Sequence, residues 1–223
     1  MVLDLYLLRH GETNLNINRG IIGGRSNFSD LSERGEKQAG LLGFRLFQEG
    51  IRFDEVYSST TKRAIETARI ACSQIAFPFE KIKSCDGLLE LDQGDWEGKI
   101  RKECYTPEVL DQMVTENWNF RPPNGESQND VAERIYAWVK ENLLPKSEQN
   151  LTAAIFGHGV STKCFLTKAL DSDHKISYRM TIDNCSISHI KYSPEGRNKG
   201  WTLIKINDNG HLREVGFSST NVV

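Results

Sequence analysis

An arginine and a histidine directly follow a short apolar stretch near the start of this 223-residue chain. The residues Leu5-Tyr6-Leu7-Leu8 lead into Arg9-His10-Gly11. Short apolar runs are typical of buried parallel strands, and open α/β sheets bind ligands just beyond the carboxyl ends of such strands. A cation and an imidazole at one point predict an anionic partner. Our hypothesis is a phosphate site with His10 as nucleophile or base; the alternative is a histidine that only caps a strand.

A second histidine occupies the same kind of position later in the chain. The apolar run 151–156 ends in Gly157-His158-Gly159, which repeats the order strand, histidine, glycine. Two such endings are less easily explained by chance than one. They indicate that His10 and His158 belong to one constellation.

Arg63 and Glu90 are the next candidates. Arg63 falls in the first turn of a predicted helix, where its charge opposes the helix dipole unless an anion binds there. The alternative for Arg63 is a solvated surface position. Glu90 is flanked by three leucines. It is misplaced, exposed or held partly desolvated, and a partly desolvated carboxyl group suits a general acid.

The segment 14–30 is rich in asparagine, glycine and serine, which predicts a long loop with a functional role. Asn16 and Arg19 are its candidate ligand contacts. Its glycines allow the backbone to approach a ligand closely: Gly20, Gly23 and Gly24.

The elements that must position these side chains alternate between strands and helices. Strands are predicted at 3–8, 53–58, 81–84, 151–156, 187–192 and 202–206, and helices at 32–50, 63–74, 108–118, 127–145 and 161–170. This order predicts a three-layer α/β/α fold with a mostly parallel central sheet and an antiparallel pair at its edge. Without a linker or repeat, residues 1–223 are expected to form a single domain. The end of the polar tail after Asp208 is expected to be poorly ordered.

Bulk composition limits the partners. The net charge of −2 gives no basic surface for nucleic acid, and no apolar run approaches the ~18–20 residues of a membrane span. The five cysteines are odd in number and lack C-x-x-C spacing, which favours a reducing, cytoplasmic location. The same spacing argues against a zinc site, and no metal or other cofactor is expected.

These motifs together resemble the histidine phosphatase superfamily, in the branch that contains cofactor-dependent phosphoglycerate mutase, fructose-2,6-bisphosphatase and the α-ribazole phosphatases. The matches follow the family's order along nearly the whole chain: Leu8 to Thr13 with Asn16, Leu31-Ser32 to Gly35, Gln38-Ala39, Tyr57-Ser58-Ser59, Arg63-Ala64, Thr67-Ala68, Glu90, Gly94, Trp96-Glu97-Gly98, Gly125-Glu126-Ser127, Gly157-His158-Gly159, Asn207-Asp208 and His211-Leu212.

The resemblance implies a phosphoglycerate mutase-like fold with a small helical cap at about 99–125. It also implies that His10 becomes a phosphohistidine and that Glu90 is the proton donor, with Arg9, Arg63 and His158 as the other catalytic residues. The residues expected to bind substrate are Arg9, Asn16, Gly23, Arg63, Glu90, His158 and Gly159. Glu12 and Ser58 are expected to shape the site.

The chemistry agrees with these roles. His10 must be neutral to attack phosphorus, and two arginines together with a protonated His158 would depress its pKa. Its other ring nitrogen should donate to a carbonyl group, which fixes the tautomer. Arginines and a helix N-terminus can stabilise the charge of a phosphoryl-transfer transition state without a metal.

Two features of the chain bear on the exact activity. Family members often carry an arginine ten positions after the nucleophile, where this chain has Gly20, with Arg19 one position earlier. Only 68 positions separate Glu90 from His158, whereas the family's mutases carry a longer insertion with added basic residues. The resemblance therefore favours hydrolysis of a small phosphorylated metabolite. The alternatives are a 2,3-bisphosphoglycerate-dependent phosphoglycerate mutase and a non-catalytic phospho-ligand-binding protein. The sequence leaves the substrate and the oligomeric state open.

Overall fold

A six-stranded sheet forms the centre of the molecule in a computed structural model that describes residues 2–148 and 150–213. The end of the polar tail lies outside the described residues. The strands are β1 (Leu3–Arg9), β2 (Glu55–Ser59), β3 (Lys83–Cys85), β4 (Leu151–Gly157), β5 (Ile187–Ser193) and β6 (Gly200–Asp208). Their order in the sheet is β3-β2-β4-β1-β5-β6. The first four are mutually parallel, while β5 pairs antiparallel with β1 and β6 with β5, which confirms the predicted arrangement.

Helices cover both faces of this sheet. The α-helices are α1 (Asn14–Ile17), α2 (Glu33–Gln48), α3 (Lys62–Gln74), α4 (Arg101–Cys104), α5 (Pro107–Glu116), α6 (Gln128–Asn142), α7 (Gly159–Ala169) and α8 (Gly210–Arg213). Short 3-10 helices occur at Phe79–Lys81, Asp86–Leu88, Gly94–Trp96, Asn117–Asn119, Leu144–Glu148 and His174–Arg179. The predicted loop 14–30 therefore contains one helical turn, because Thr13 and Asn16 form a capping box that starts α1.

The alternation of side chains along the strands separates two cores. In β4, Ala153 and Ile155 pack towards α6 and α7, whereas Ala154 and Phe156 pack towards α2 and α3. Successive residues of a strand point to opposite faces, so a strand that is apolar throughout needs a helix layer on each side. The three-layer α/β/α prediction is confirmed.

The register of β1 and β4 brings the two strand–histidine–glycine motifs together. Arg9 lies opposite Gly157 in parallel pairing, and the backbone N–H of His10 donates to the Gly157 carbonyl at 3.0 Å. Both histidines therefore follow the ends of adjacent strands at one edge of the sheet.

A small third cluster lies beside the main cores. Trp96, Cys104 and Phe120 pack with Ile22 of the segment before α2. An isolated β-bridge also joins Ile21 to Ile100. The predicted cap segment, 99–125, is thereby attached to the loop that follows His10; its status as an insertion within one domain stays a prediction.

Candidate active site

A cavity of about 960 Å³ opens at the carboxyl ends of β1 and β4. Its wall includes six of the predicted site residues: Arg9, His10, Asn16, Gly23, Arg63 and Glu90. His158 and Gly159 do not line this cavity. The fold thus brings residues from five separate stretches of the chain to one place.

His10 is oriented by its own backbone turn. The residue is only 4% exposed, and its Nδ1 lies 2.7 Å from the Gly11 carbonyl oxygen. A carbonyl can only accept a hydrogen bond, so Nδ1 carries the proton and Nε2 keeps its lone pair. Burial, followed by the charges of Arg63 and Arg9, lowers the pKa of His10 well below 6.5. The ring is therefore neutral near pH 7, as the sequence predicted.

His158 lies behind His10, with its ring centroid 5.2 Å from that of His10. The side chain is fully buried; its Nε2 is 2.8 Å from Ser59 Oγ, and its Nδ1 is 3.4 Å from Arg63 Nη2. A guanidinium can only donate, so Nδ1 accepts and Nε2–H donates to the serine. Burial and the charge of Arg63 lower the pKa of His158 well below 6.5. The expectation of a protonated His158 was therefore wrong, because a desolvated ring beside arginines favours the neutral form.

Arg63 is held in place by carbonyl groups of the preceding loop. Its Nη1 donates to the Ser26 carbonyl at 2.6 Å and its Nη2 to the Gly24 carbonyl at 2.9 Å. It is the second residue of α3 and only 6% exposed, which rules out the solvated alternative. The loop 14–30 therefore fixes one of the two arginines beside His10.

One buried N–H group of Arg9 has no hydrogen-bond acceptor among the described residues. Its Nη1 donates to the Ile182 carbonyl at 2.6 Å, but its buried Nε finds no hydrogen-bond partner among the described residues. A Cβ atom added at Gly159 would lie 3.4 Å from this Nε, so the glycine lets α7 begin close to the guanidinium. An unpaired buried donor of this kind is unfavourable until an acceptor binds.

Asn16 and Gly23 form another part of the cavity wall. The amide oxygen of Asn16 accepts from the Thr13 backbone at 3.1 Å and from Asn184 Nδ2 at 3.2 Å. This leaves the amide nitrogen as the group that could donate to a ligand. The carbonyl of Gly23 accepts from the Ser26 hydroxyl group. This bond closes the turn whose carbonyl groups, at Gly24 and Ser26, accept from Arg63.

Glu90 lies at the N-terminus of α7. Its carboxylate accepts the backbone N–H groups of Leu91 at 2.9 Å, Val160 at 3.0 Å and Ser161 at 2.8 Å. The residue is half-buried, which agrees with the partly desolvated alternative and not with the exposed one. The sequence does not reveal these contacts, since they join residues about 70 positions apart.

Two arginines hold the segment that carries Glu90. Arg25 Nε and Arg134 Nη2 both donate to the Glu90 carbonyl, at 3.1 and 3.3 Å. Both also form ion pairs with Glu126, at 2.6 and 3.0 Å. Sequence reasoning missed both arginines; the only sign was Glu126 within a family-like motif.

The shaping residues act through neighbours. Glu12 accepts from Ser32 Oγ at 2.9 Å and pairs with Arg34. Ser58 donates to the Ser59 carbonyl, so Ser59 rather than Ser58 contacts His158. Arg19 lies on the cavity wall with Arg101, whose Nε donates to the Arg19 carbonyl at 3.1 Å.

Two kinds of feature are absent from residues 2–148 and 150–213. Within them, no group of three or more histidine, cysteine or acidic residues is arranged to hold a metal ion. In the same part of the chain, no helix has the length and apolar character needed to cross a membrane.

A mixed sheet that brings two histidines and two arginines to one edge defines the class of protein. The chain belongs to the histidine phosphatase superfamily (branch 1), whose family model matches residues 5–209. It is 33% identical over 220 residues to a probable phosphoglycerate mutase from Salmonella typhi, with 95% of each chain covered.

Solved structures share the fold. A mycobacterial glucosyl-3-phosphoglycerate phosphatase aligns with a TM-score of 0.79 at 22% identity, covering 93% of this chain and 99% of its own. A phosphoserine phosphatase mutant from Entamoeba histolytica, solved with phosphoserine, aligns with a TM-score of 0.77 at 23% identity, covering 94% and 99%. The relatives are thus named as phosphatases and a mutase, and the chain is an enzyme of this superfamily.

Proposed function

We propose that this chain is a metal-independent phosphomonoester hydrolase that transfers a phosphoryl group to His10 and then to water. One observation carries the proposal: His10 is neutral, with Nδ1 bonded to the Gly11 carbonyl and Nε2 left as the nucleophilic nitrogen on the cavity wall. A nucleophile held in one tautomer beside two cations is suited to attack a phosphate ester.

In the first step, the His10 Nε2 lone pair forms a bond to phosphorus while the bond from phosphorus to the ester oxygen breaks. The Glu90 carboxyl group gives its proton to that oxygen, which leaves as an alcohol. The ring gains positive charge, and its Nδ1–H bond to the Gly11 carbonyl stabilises that charge.

In the second step, water attacks the phosphohistidine. The Glu90 carboxylate accepts a proton from the water, the bond from Nε2 to phosphorus breaks, and inorganic phosphate leaves. Both groups return to their starting states. The three backbone N–H groups that hold the Glu90 carboxylate keep it in position for both transfers.

The remaining site residues bind the phosphoryl oxygens. Arg9, whose Nε lacks a partner among the described residues, and the buried Arg63 would neutralise the charge spread over these oxygens. Asn16 would donate its amide nitrogen, and Gly23 and Gly159 would allow close approach. Direct contact of His158 with the substrate stays a prediction, since in this structure both its ring nitrogens contact protein groups.

A phosphoglycerate mutase is the second candidate, favoured by the name of the Salmonella relative. Both reactions pass through the same phosphohistidine. Within the described residues, Arg101 is the only residue of the segment 99–125 on the cavity wall. A cap that contributes one cation supports hydrolysis over retention of a phosphorylated intermediate. The free state of all five cysteines supports a cytoplasmic location.

The test is turnover of p-nitrophenyl phosphate in EDTA. Wild type should release phosphate and accumulate an acid-labile phosphohistidine, and His10→Ala should abolish both. His189→Ala is the matched control, because His189 stacks on Tyr6 and bonds Asp4 away from the cavity. Activity that survives His10→Ala, or that EDTA removes, would contradict the mechanism. Transfer of the phosphoryl group to 3-phosphoglycerate without release of phosphate would identify the mutase. Absence of any turnover would identify the non-catalytic phospho-ligand-binding protein.

A further inference from the structure

A lysine that the reaction does not use lies on the wall of the same cavity. Lys163 belongs to α7, the helix whose first backbone N–H groups hold Glu90. It follows Gly159 by four residues, so the two share one face of the helix. Long helical side chains lean towards the helix N-terminus, which is the end next to Glu90.

The Lys163 amine has no partner of its own. Across residues 2–148 and 150–213, its Nζ forms no hydrogen bond and no ion pair. The two nearby carboxylates are already held by other donors. Glu90 accepts backbone N–H groups, and Asp183 Oδ2 accepts from the amides of Asn207 at 3.1 Å and Asn209 at 2.7 Å.

This position is unfavourable for a lysine without an anion. Its side chain is half-buried, and burial together with the charge of Arg9 lowers the pKa of Lys163 although the charges of Glu90 and Asp183 oppose that shift. Lys168, one turn further along α7, is by contrast paired and bonds Glu133 at 2.6 Å. A half-buried amine that pairs with neither carboxylate, on a cavity wall that also holds Arg9 and Arg63, therefore indicates an anionic ligand.

Lys163 also lies apart from the phosphoryl position. It lies one helical turn beyond Gly159, the residue whose added Cβ atom would lie 3.4 Å from Arg9 Nε. A group bound by Lys163 would therefore belong to the rest of the substrate.

We propose that Lys163 Nζ binds a second anionic group of the substrate, a carboxylate or a second phosphate within a few bonds of the phosphoryl ester. The inference rests on the proposed function, since the first phosphoryl group must occupy the site at His10. It restricts the substrates to small phosphomonoesters with a further negative group.

The experiment compares pairs of substrates that differ in the second group. The carboxylate arm uses 3-phosphoglycerate against glycerol 3-phosphate, and the phosphate arm uses propane-1,3-diyl bisphosphate against propyl phosphate. In at least one arm, wild type should have the higher kcat/KM for the member with the second anionic group, and Lys163→Met should reduce that preference about tenfold or more. Lys163→Arg should retain most of it. The arm that responds identifies the group.

Lys168→Met is the control on the same helix and should leave both preferences unchanged. The proposal would be overturned if Lys163→Met lowered kcat/KM equally for both members of each pair, or if it left the preference unaltered in both arms. Calorimetric binding of the same compounds to His10→Ala, with and without Lys163→Met, separates this result from the proposed function. If the chain does not hydrolyse esters, binding selectivity that depends on Lys163 still supports the subsite, and selectivity that does not depend on it rejects the subsite.

Discussion

At the scale of single residues, the site holds two histidines in the neutral form. His10 and His158 are both held neutral by burial and neighbouring arginines. Neither can therefore act as the resident acid near pH 7. We therefore propose that the carboxyl group of Glu90, at the N-terminus of α7, protonates a leaving alcohol.

Substitution of Glu90 tests that assignment. Glu90→Gln preserves the shape of the side chain but has no proton to transfer, so hydrolysis of an alkyl phosphate should slow by about 10²–10⁴-fold. Hydrolysis of p-nitrophenyl phosphate should slow much less in the first step, because nitrophenolate leaves without protonation. Single-turnover rates with the two esters measure the difference. Equal losses for both would show that Glu90 is not the acid.

At the scale of elements, two glycines set the position of His10. A Cβ atom added at Gly11 would lie 2.5 Å from the Gly35 carbonyl oxygen, and one added at Gly35 would meet the Glu12 carbonyl. The start of α2 therefore packs directly against the turn that follows β1. This contact explains why glycine occurs both beside His10 and near the helix start.

A pair of substitutions in α2 tests this contact. Gly35→Ala should destabilise the protein by about 1–3 kcal/mol, because the added methyl group overlaps backbone. Gly40→Ala, in the same helix with nothing within 4 Å of its added Cβ, should be neutral or stabilising by up to about 1 kcal/mol. Thermal unfolding of both variants measures the difference. Equal melting temperatures would show that the close approach is not required.

At the scale of the whole molecule, the buried histidines link stability to pH. Burial lowers the pKa of His10, His158 and His211 in the folded protein. The unfolded chain, with ordinary pKa values near 6.5, therefore binds more protons as the pH falls below that value. Protonation favours the unfolded state, so the free energy of unfolding should fall with decreasing pH.

The expected loss approaches about 1.4 kcal/mol per pH unit for each histidine that remains neutral in the folded state, and it is absent above about pH 7. Urea unfolding at pH 7.5 and 5.5, at matched ionic strength, measures it. His10→Asn should make the dependence shallower. A free energy of unfolding that is equal at both pH values, or a slope that His10→Asn leaves unchanged, would refute this linkage.

The sequence by itself determined the elements and the principal chemical groups. Apolar runs such as 5–8 and 151–156 identify buried strands because burial on both faces requires apolar side chains throughout. The order of strands and helices then fixes the three layers, and the motifs around His10 and His158 place the chemistry at strand ends. Boundaries were less accurate: α7 begins at Gly159, two residues before the predicted start.

Only the tertiary structure decided the environment of each group. Protonation depends on burial and on which charges surround a side chain, so the neutral state of His158 follows from its burial and from Arg63, which lies 95 positions away. Contacts over such separations leave no local pattern in the sequence. For the same reason, the sequence does not reveal that Arg25 and Arg134 hold the Glu90 segment. It also does not reveal the unpaired amine of Lys163, because only the fold brings that residue to the cavity wall with His10.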